Sequence, residues 1–390
     1  MKTLKKIMYF ILVPLIIIYF LFILIAPPIL EKGKNKVSIQ APYNASTEAT
    51  TLFKSLDFVA DLHCDALLWN RNLTKRKNYG HVDFPRMQEG NVALQGFTIV
   101  TKSPKGQNFT KNSGDSFDMI TALSIGQGQS IRTWFSLVNR AVYQCKKLHD
   151  FAEDYNNEFI VVKSKTDFET LLNKRKTNKK VIGGLLGIEG GHCLEGDIKN
   201  LQKVYDAGVR MLGPTHFFDN EMGGSAHGIS GEGLTQFGMQ VIKEMEQKKM
   251  IIDVAHSSEN IIDDILMHYN GPIVTSHTGV KGTNNSPRNL SDKHLKGIAA
   301  KGGLIGIAFF PEAIGDGGIP DIVNAMIYTK NLIGIKHVTL GSDYDGSVTV
   351  PFDVTGYPLL VEEMIKQGLS TEEIKAIMGE NVKRFLLERL

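Results

Sequence analysis

Hydrophobic positions fall along this chain in two unlike patterns. Ile7 to Ala26 is an apolar and aromatic run of 20 residues, interrupted only by Pro14 and preceded by Lys2, Lys5 and Lys6. As a helix rising 1.5 Å per residue it spans roughly 30 Å, the thickness of a bilayer's hydrocarbon core. A cleaved signal peptide has a shorter apolar stretch, about 7–15 residues, followed by small residues at a cleavage site. Here the run ends in Ala26-Pro27-Pro28-Ile29, so the pattern predicts an uncleaved single-pass anchor over residues 1–30, with residues 7–26 in the lipid. Lys32, Lys34 and Lys36 beyond the run match the three lysines before it, and the positive-inside rule does not orient it. The short N-terminal tail favours an extracytoplasmic position for the rest of the chain. Residues 31–50 are polar without an apolar period and read as a linker.

From residue 51 to 390 the pattern changes to short β-rich apolar runs separated by loops and amphipathic segments. The runs are 58–63, 93–100, 159–163, 181–188, 209–215, 250–255, 272–276, 303–309 and 337–341. Near-continuous apolar strands alternating with helices predict a parallel sheet covered on both faces. The fold class is α/β, a (β/α)8 TIM-like barrel. That leaves one run too many, and 159–163 is the accessory one, because only Lys163 and Lys165 lie at its end. Residues 131–155 carry apolar positions at helical spacing, and Ser370 with Glu373 forms a capping box that opens the last helix. Residues 101–130 and 219–235 read as long loops at the barrel mouth.

Composition narrows the functional classes. The chain has 390 residues, of which 42% are hydrophobic and 22% charged, and a formal charge of +3. Such a small charge gives no field that would make nucleic acid a partner. Three cysteines, Cys64, Cys145 and Cys193, are too few for a disulfide scaffold.

The chemistry gathers where the apolar runs end. Asp61, His63 and Asp65 close the first, Glu189 closes 181–188, His216, His256 and His277 close the next three, and Asp343 and Asp345 close the last. A single histidine at a strand end is more often a hydrogen-bonded loop residue than a ligand, but repeated coincidence at one edge points to a shared site. Neutral imidazoles and carboxylates suit borderline divalent metals, and two ions can share one carboxylate. His63 and Asp65, two apart on a strand, project to one side and can chelate together. Glu189 is the candidate bridge, and His256 with His277 can hold a second ion. Two cations about 3.5–4 Å apart supply a hydroxide at neutral pH, and hydrolysis is the default reaction.

The motifs Asp61-Leu-His63-Cys-Asp65, Gly187-Ile-Glu189-Gly-Gly191, Asp253-Val-Ala-His256-Ser-Ser258, Ser276-His277, Pro287-Arg288-Asn289-Leu290 and Gly341-Ser-Asp343-Tyr-Asp345-Gly346 closely resemble the membrane (renal) dipeptidase family of metallopeptidases. The resemblance runs from about residue 55 to 385. It implies that His63, Asp65 and Glu189 hold one Zn²⁺ and that Glu189, His256 and His277 hold the other. It implies further that His216 polarises the substrate and stabilises the oxyanion, and that Arg288, with Asn289 beside it, grips the dipeptide's free carboxylate. It also implies that Asp343 takes the nucleophile's proton and hands it to the leaving amine. The substrates so implied are dipeptides, including those with a C-terminal D-residue.

Cys64 lies between two ligands, but strand alternation turns it away, and it reads as packing. His192 and His227 read as structural or supporting. Family members from animals often end in a hydrophobic tail, whereas this chain ends FLLERL, so membrane attachment is expected at the N-terminus. Two rivals remain: another binuclear-metal amidohydrolase acting on cyclic amides, and a non-catalytic surface binding protein. The first usually opens with His-x-His, and the second predicts a missing ligand; the sequence shows neither. A homodimer is compatible with the sequence.

Overall fold

The computed structural model describes residues 2–155, 158–316 and 318–390, and side chains from residue 10 onward within the first helix. The side chains of Lys2, Lys5, Lys6 and Ile7 to Tyr9, which belong to the expected anchor, lie outside the described part.

Each of the nine apolar runs becomes a strand. Eight close a barrel: β1 Val59–Cys64, β2 Val92–Val100, β3 Ile182–Glu189, β4 Val209–Gly213, β5 Ile251–Asp253, β6 Ile273–Thr278, β7 Leu304–Ile307 and β8 Val338–Leu340. All neighbouring pairs are parallel, β2 pairs with β3, and β8 closes on β1 through Leu340 opposite Asp61. The ninth, Phe159–Val161, pairs only with the start of β3, as an accessory strand should. Seven of the eight barrel strands are buried at every position, and the remaining one, β4, is half-buried only at Arg210, because helices cover the outer face while side chains fill the inside. Close approach is built in where β6, β7 and β8 meet. A Cβ on Gly306 or Gly341 would come within 2.2 or 2.0 Å of the Ser276 carbonyl oxygen, so only glycine lets these strands pack around Ser276.

Three elements differ from the sequence reading. Residues 131–155 form two helices, α3 Ile131–Phe135 and α4 Leu137–Asp154. Ser136 breaks them by adopting an extended conformation and accepting the Asn139 N–H as an N-cap. The long loop 101–130 contains a helix, α2 Met119–Gly126, capped by Asp118. The Ser370–Glu373 capping box is present, but the helix it opens, Thr371–Lys375, continues through a wider turn into a final helix, Asn381–Arg389.

The N-terminal helix α1 runs from Lys2 to Lys34. Residues 31–50, expected as a free linker, lie instead on the barrel. Lys36–Val37 pairs in parallel with Thr349–Val350, beyond β8. Glu31 and Asn35 are buried, Glu31 against Arg71 at 2.5 Å and Asn35 accepting the Ser347 N–H at 2.9 Å. Residues 47–55 then form a helix capped by Ser46. A two-residue strand has no periodicity to read, which is why the pattern suggested an undocked segment.

Candidate metal centre

The C-terminal strand ends deliver their polar side chains to one point. Glu189, the last residue of β3, lies at the centre. Its carboxylate oxygens stand 2.9 Å from His256 Nε2, 3.4 Å from His277 Nε2, 3.4 Å from His216 Nε2 and 3.8 Å from His63 Nε2. His63 Nε2 also lies 3.5 Å from Asp65 and 3.8 Å from Asp343. Three overlapping sets have atoms close enough to share an ion: His63, Glu189 and His277; Glu189, His216 and His256; and His63, Asp65 and Asp343. All seven residues are buried. The structure therefore gathers the five expected ligands together with His216 and Asp343. His256 and Asp343 reach the point with left-handed backbone, φ +60° and +62°, a strain of about 1–3 kcal/mol each that persists where surroundings enforce it.

A hydrogen-bond shell fixes which nitrogen each imidazole offers. Ser276 Oγ donates its only proton to Asp253 Oδ2 at 2.6 Å. Its lone pairs then accept from His63 Nδ1 at 2.8 Å and His277 Nδ1 at 3.0 Å. Both rings then have Nε2 as the nitrogen left over, near Glu189. His227 Nδ1 donates to the Phe109 carbonyl at 2.9 Å, so its Nε2 accepts from His256 Nδ1 at 3.0 Å and frees His256 Nε2 in the same way. Orientation of this kind is typical of metal-binding histidines. His216 differs, because its Nδ1 has no partner in the chain, and nothing commits its Nε2 to a lone pair. Thr98 donates to Asp65 at 2.7 Å. Asp253 and Ser276 lie in the motifs read from the sequence, which assigned them no role; Thr98 has no sequence signal beyond its place in a strand.

The cluster also fits cations electrostatically. His63 Nε2 and Glu189 Oε1 are buried without a hydrogen-bond partner. Burial, with Asp65 and Asp343 close by, raises Glu189 well above the usual carboxylate range. Burial works against charge on His63, yet Glu189, Asp65 and Asp343 outweigh it and raise that ring to about 10. Both shifts express an excess of buried negative charge that draws in positive charge. Burial pulls His216, His256 and His277 well below the usual imidazole range, so these rings stay neutral. Asp343 rises to about 8, through burial first and then Asp65, with His63 opposing.

Arg288 lies at the edge of this cluster, buried, with its guanidinium 5.0 Å from the Phe310 ring centre. Its Nη2 donates to the His277 carbonyl at 3.2 Å, while Nε and Nη1 have no partner in the chain. Asn289, expected beside the substrate, is occupied otherwise. Its amide donates to the Asn284 and Ala313 carbonyls, both at 2.7 Å, and accepts the Gly279 N–H at 3.1 Å. It shapes the loop that carries Arg288.

Two strand-end acids lie outside the cluster. Asp61 accepts from the Ser342 N–H at 3.0 Å and the Tyr357 hydroxyl at 3.1 Å, tying β1 to the loop that carries Asp343. Asp345 pairs with Arg71 at 2.5 Å. His192 is buried against Phe218 and belongs to none of the three sets, and Cys64, Cys145 and Cys193 are free and buried. A surface recess of about 670 Å³ opens at the opposite barrel end, lined by residues such as Asp57, Glu169 and Lys176; it brings no comparable donors together.

A family model described as membrane dipeptidase, peptidase family M19, matches residues 47–389. Dipeptidase aclJ of Aspergillus oryzae is 26% identical over 353 residues, covering 84% of this chain and 77% of the relative. An uncharacterized Klebsiella pneumoniae protein from the pqqA 5′ region is 34% identical over 229 residues, 55% of this chain and 84% of that protein. Among solved structures, dipeptidase AC, a metallo peptidase of family M19, is 25% identical with a TM-score of 0.68, covering 85% of this chain and 98% of its own. A metallo peptidase from Rhodobacter sphaeroides, liganded with a phosphinate mimic of the dipeptide L-Ala-D-Ala, shares the fold at 24% identity and a TM-score of 0.68, over 86% of this chain and 99% of its own.

Proposed function

The chain belongs to the membrane dipeptidase family, and on that premise we propose that it is a two-zinc dipeptidase that cleaves dipeptides, including those with a C-terminal D-residue. The observation that carries this reading is the convergence of buried imidazoles and carboxylates from six strand ends on Glu189, within 2.9–3.8 Å of one another where they meet. In the proposed assignment His63, Asp65 and Glu189 hold one ion and Glu189, His256 and His277 the other. Two such ions, when bound, supply Lewis acidity and acidify water into the neutral range.

The remaining roles follow from the chain's own groups. Arg288, whose Nε and Nη1 have no partner in the chain, has N–H donors and a charge left for the dipeptide's carboxylate. His216, kept neutral by burial, donates an N–H to the developing oxyanion. Asp343, buried and 3.8 Å from His63 Nε2, takes a proton from the attacking water and returns it to the leaving amine. The Rhodobacter relative's L-Ala-D-Ala mimic is in keeping with a substrate whose second residue is D. In the same reading α1 is an uncleaved membrane anchor, since Phe10–Lys34 is long and apolar enough to cross a bilayer and 6% buried.

The deciding experiment is metal analysis and kinetics on one preparation of the detergent-solubilised full chain. Two equivalents of zinc and release of amino acids from L-L and L-D dipeptides are expected. Metal-free protein, or no hydrolysis across the panel, would reject the reading.

A further inference from the structure

Among the described residues outside α1, eight large apolar side chains stand exposed, and five of them fall between Phe117 and Phe135. Those 19 residues comprise α2, α3 and their connection. Isolated exposed apolar residues are ordinary on a protein surface, but a concentration of them marks a contact. Phe135 is 83% and Ile131 61% exposed. The hairpin is also held rigidly. Asp118, the cap of α2, pairs with buried Arg140 at 2.7 Å, Arg140 donates to the Thr133 carbonyl at 2.9 Å, and Gln127 donates to the Leu68 carbonyl at 3.1 Å.

A second observation places this patch beside the membrane-length helix. The hairpin packs against the apolar stretch of α1. Tyr19 donates its hydroxyl to the Ile125 carbonyl at 3.0 Å. Phe22 lies 3.5 Å from where a Cβ of Gly126 would stand, and Ile23 3.1 Å from that of Gly128, so small residues let the two elements meet. Tyr19 and Phe22 lie roughly 10 and 6 Å inside the Ala26 end of the apolar run. Interfacial elements sit about 5–10 Å into the boundary between headgroups and acyl chains. Exposed Lys105 and Arg132 flank the patch, where they suit lipid phosphates.

We infer that α2 and α3 form a second membrane contact, dipping into the leaflet beside α1 and resting on lipid. The inference rests on the reading of α1 as an uncleaved anchor. It has a geometric consequence for the proposed site. β2 leads through the loop 101–116 to this hairpin, and its last residue, Val100, is paired with Glu189. One side of the barrel mouth is therefore turned to the bilayer.

The test uses the full chain reconstituted in vesicles of mixed neutral and anionic phospholipid. Single replacements Phe135→Cys, Ile131→Cys, Leu15→Cys and Lys176→Cys are labelled with an environment-sensitive fluorophore; the native cysteines are buried. A lipid-borne nitroxide should quench the labels at 131 and 135 as it does the label at 15, while aqueous iodide quenches only the label at 176, at the far barrel end. Quenching at 15 with labels at 131 and 135 behaving like that at 176 would overturn the inference and leave the anchor standing. A chain that does not float with the vesicles, or whose mass shows α1 removed, would overturn the anchor reading and this inference together.

Discussion

Two buried charge clusters lie at the same end of the barrel and are built on opposite terms. Around Glu189, three carboxylates face the single guanidinium of Arg288, and buried nitrogen and oxygen atoms are left without partners. Around Arg71, each acid has a guanidinium partner, although burial still raises Glu31 to about 7 and Arg71 Nε has no acceptor. Arg71 pairs with Glu31 and Asp345, both at 2.5 Å, and Asp345 also accepts the His81 N–H at 2.6 Å. Burial opposes ionisation of Asp345, but Arg71 and these donors win and hold it below the usual carboxylate range. Matched charge is structure; unmatched charge, kept buried, is a site awaiting a ligand.

The sharpest way to break that comparison is to neutralise the centre of each cluster. Glu189→Gln should lower turnover about 10³-fold, the scale of losing a principal electrostatic partner, and reduce bound metal measured by mass spectrometry. In metal-free protein the same change relieves repulsion, so thermal stability should hold or rise. Arg71→Met should do the reverse. It strands Glu31 and Asp345 and should destabilise by about 3–5 kcal/mol, read as a lower melting temperature, while the folded fraction keeps its metal. If both variants merely destabilise, the distinction between the clusters fails.

Arg288→Ala separates substrate charge from metal charge. Free dipeptides should lose about 10²-fold in kcat/KM, the 2–3 kcal/mol of a charge-assisted bond, whereas C-terminally amidated analogues should change little. Equal losses would remove Arg288 from the carboxylate site. Ser276→Ala acts one layer further out. With no hydroxyl to fix the Nδ1–H of His63 and His277, metal affinity measured by chelator competition should weaken about 10–100-fold, with little change in melting temperature of the metal-free chain.

The sequence was most readable where burial and chemistry coincide along a strand. All eight barrel strands and the accessory ninth stand out because parallel strands are apolar on both faces. The site residues stand out because they follow those runs. What could not be read was the destination of a side chain. Asp61, His63 and Asp65 share one parity in sequence, yet Asp61 turns to Ser342 and Tyr357, while Asp65, just past the end of β1, reaches the cluster. Asp343 and Asp345 flank one tyrosine and go to different clusters. Asn289 is polar and adjoins Arg288, but loop carbonyls take its amide. Docking of residues 31–50 depends on Arg71 and on backbone groups beyond β8, partners remote in sequence.

The matched cluster carries the smallest test, and its pH slope has the same sign as that of a depressed carboxylate. Lys147 donates to the Leu67 and Trp69 carbonyls at 2.8 and 2.6 Å. Burial pulls it down to about 7, against the attraction of Glu31 and with the repulsion of Arg71. The unfolded lysine titrates near 10.4. Between these values the unfolded chain binds a proton that the folded chain does not, so this group makes stability rise with pH across that window. Below about 7 both states are charged and the burial penalty is complete. Lys147 is only partly screened from solvent, which reduces the effect to about 1 kcal/mol between pH 7 and 9. Melting temperatures of the parent chain and Lys147→Met should therefore converge as pH rises from 7 to 9, with the parent gaining. A gap that stays constant would mean that Glu31 holds the lysine charged, and that the cluster around Arg71 is matched more completely than its geometry alone requires.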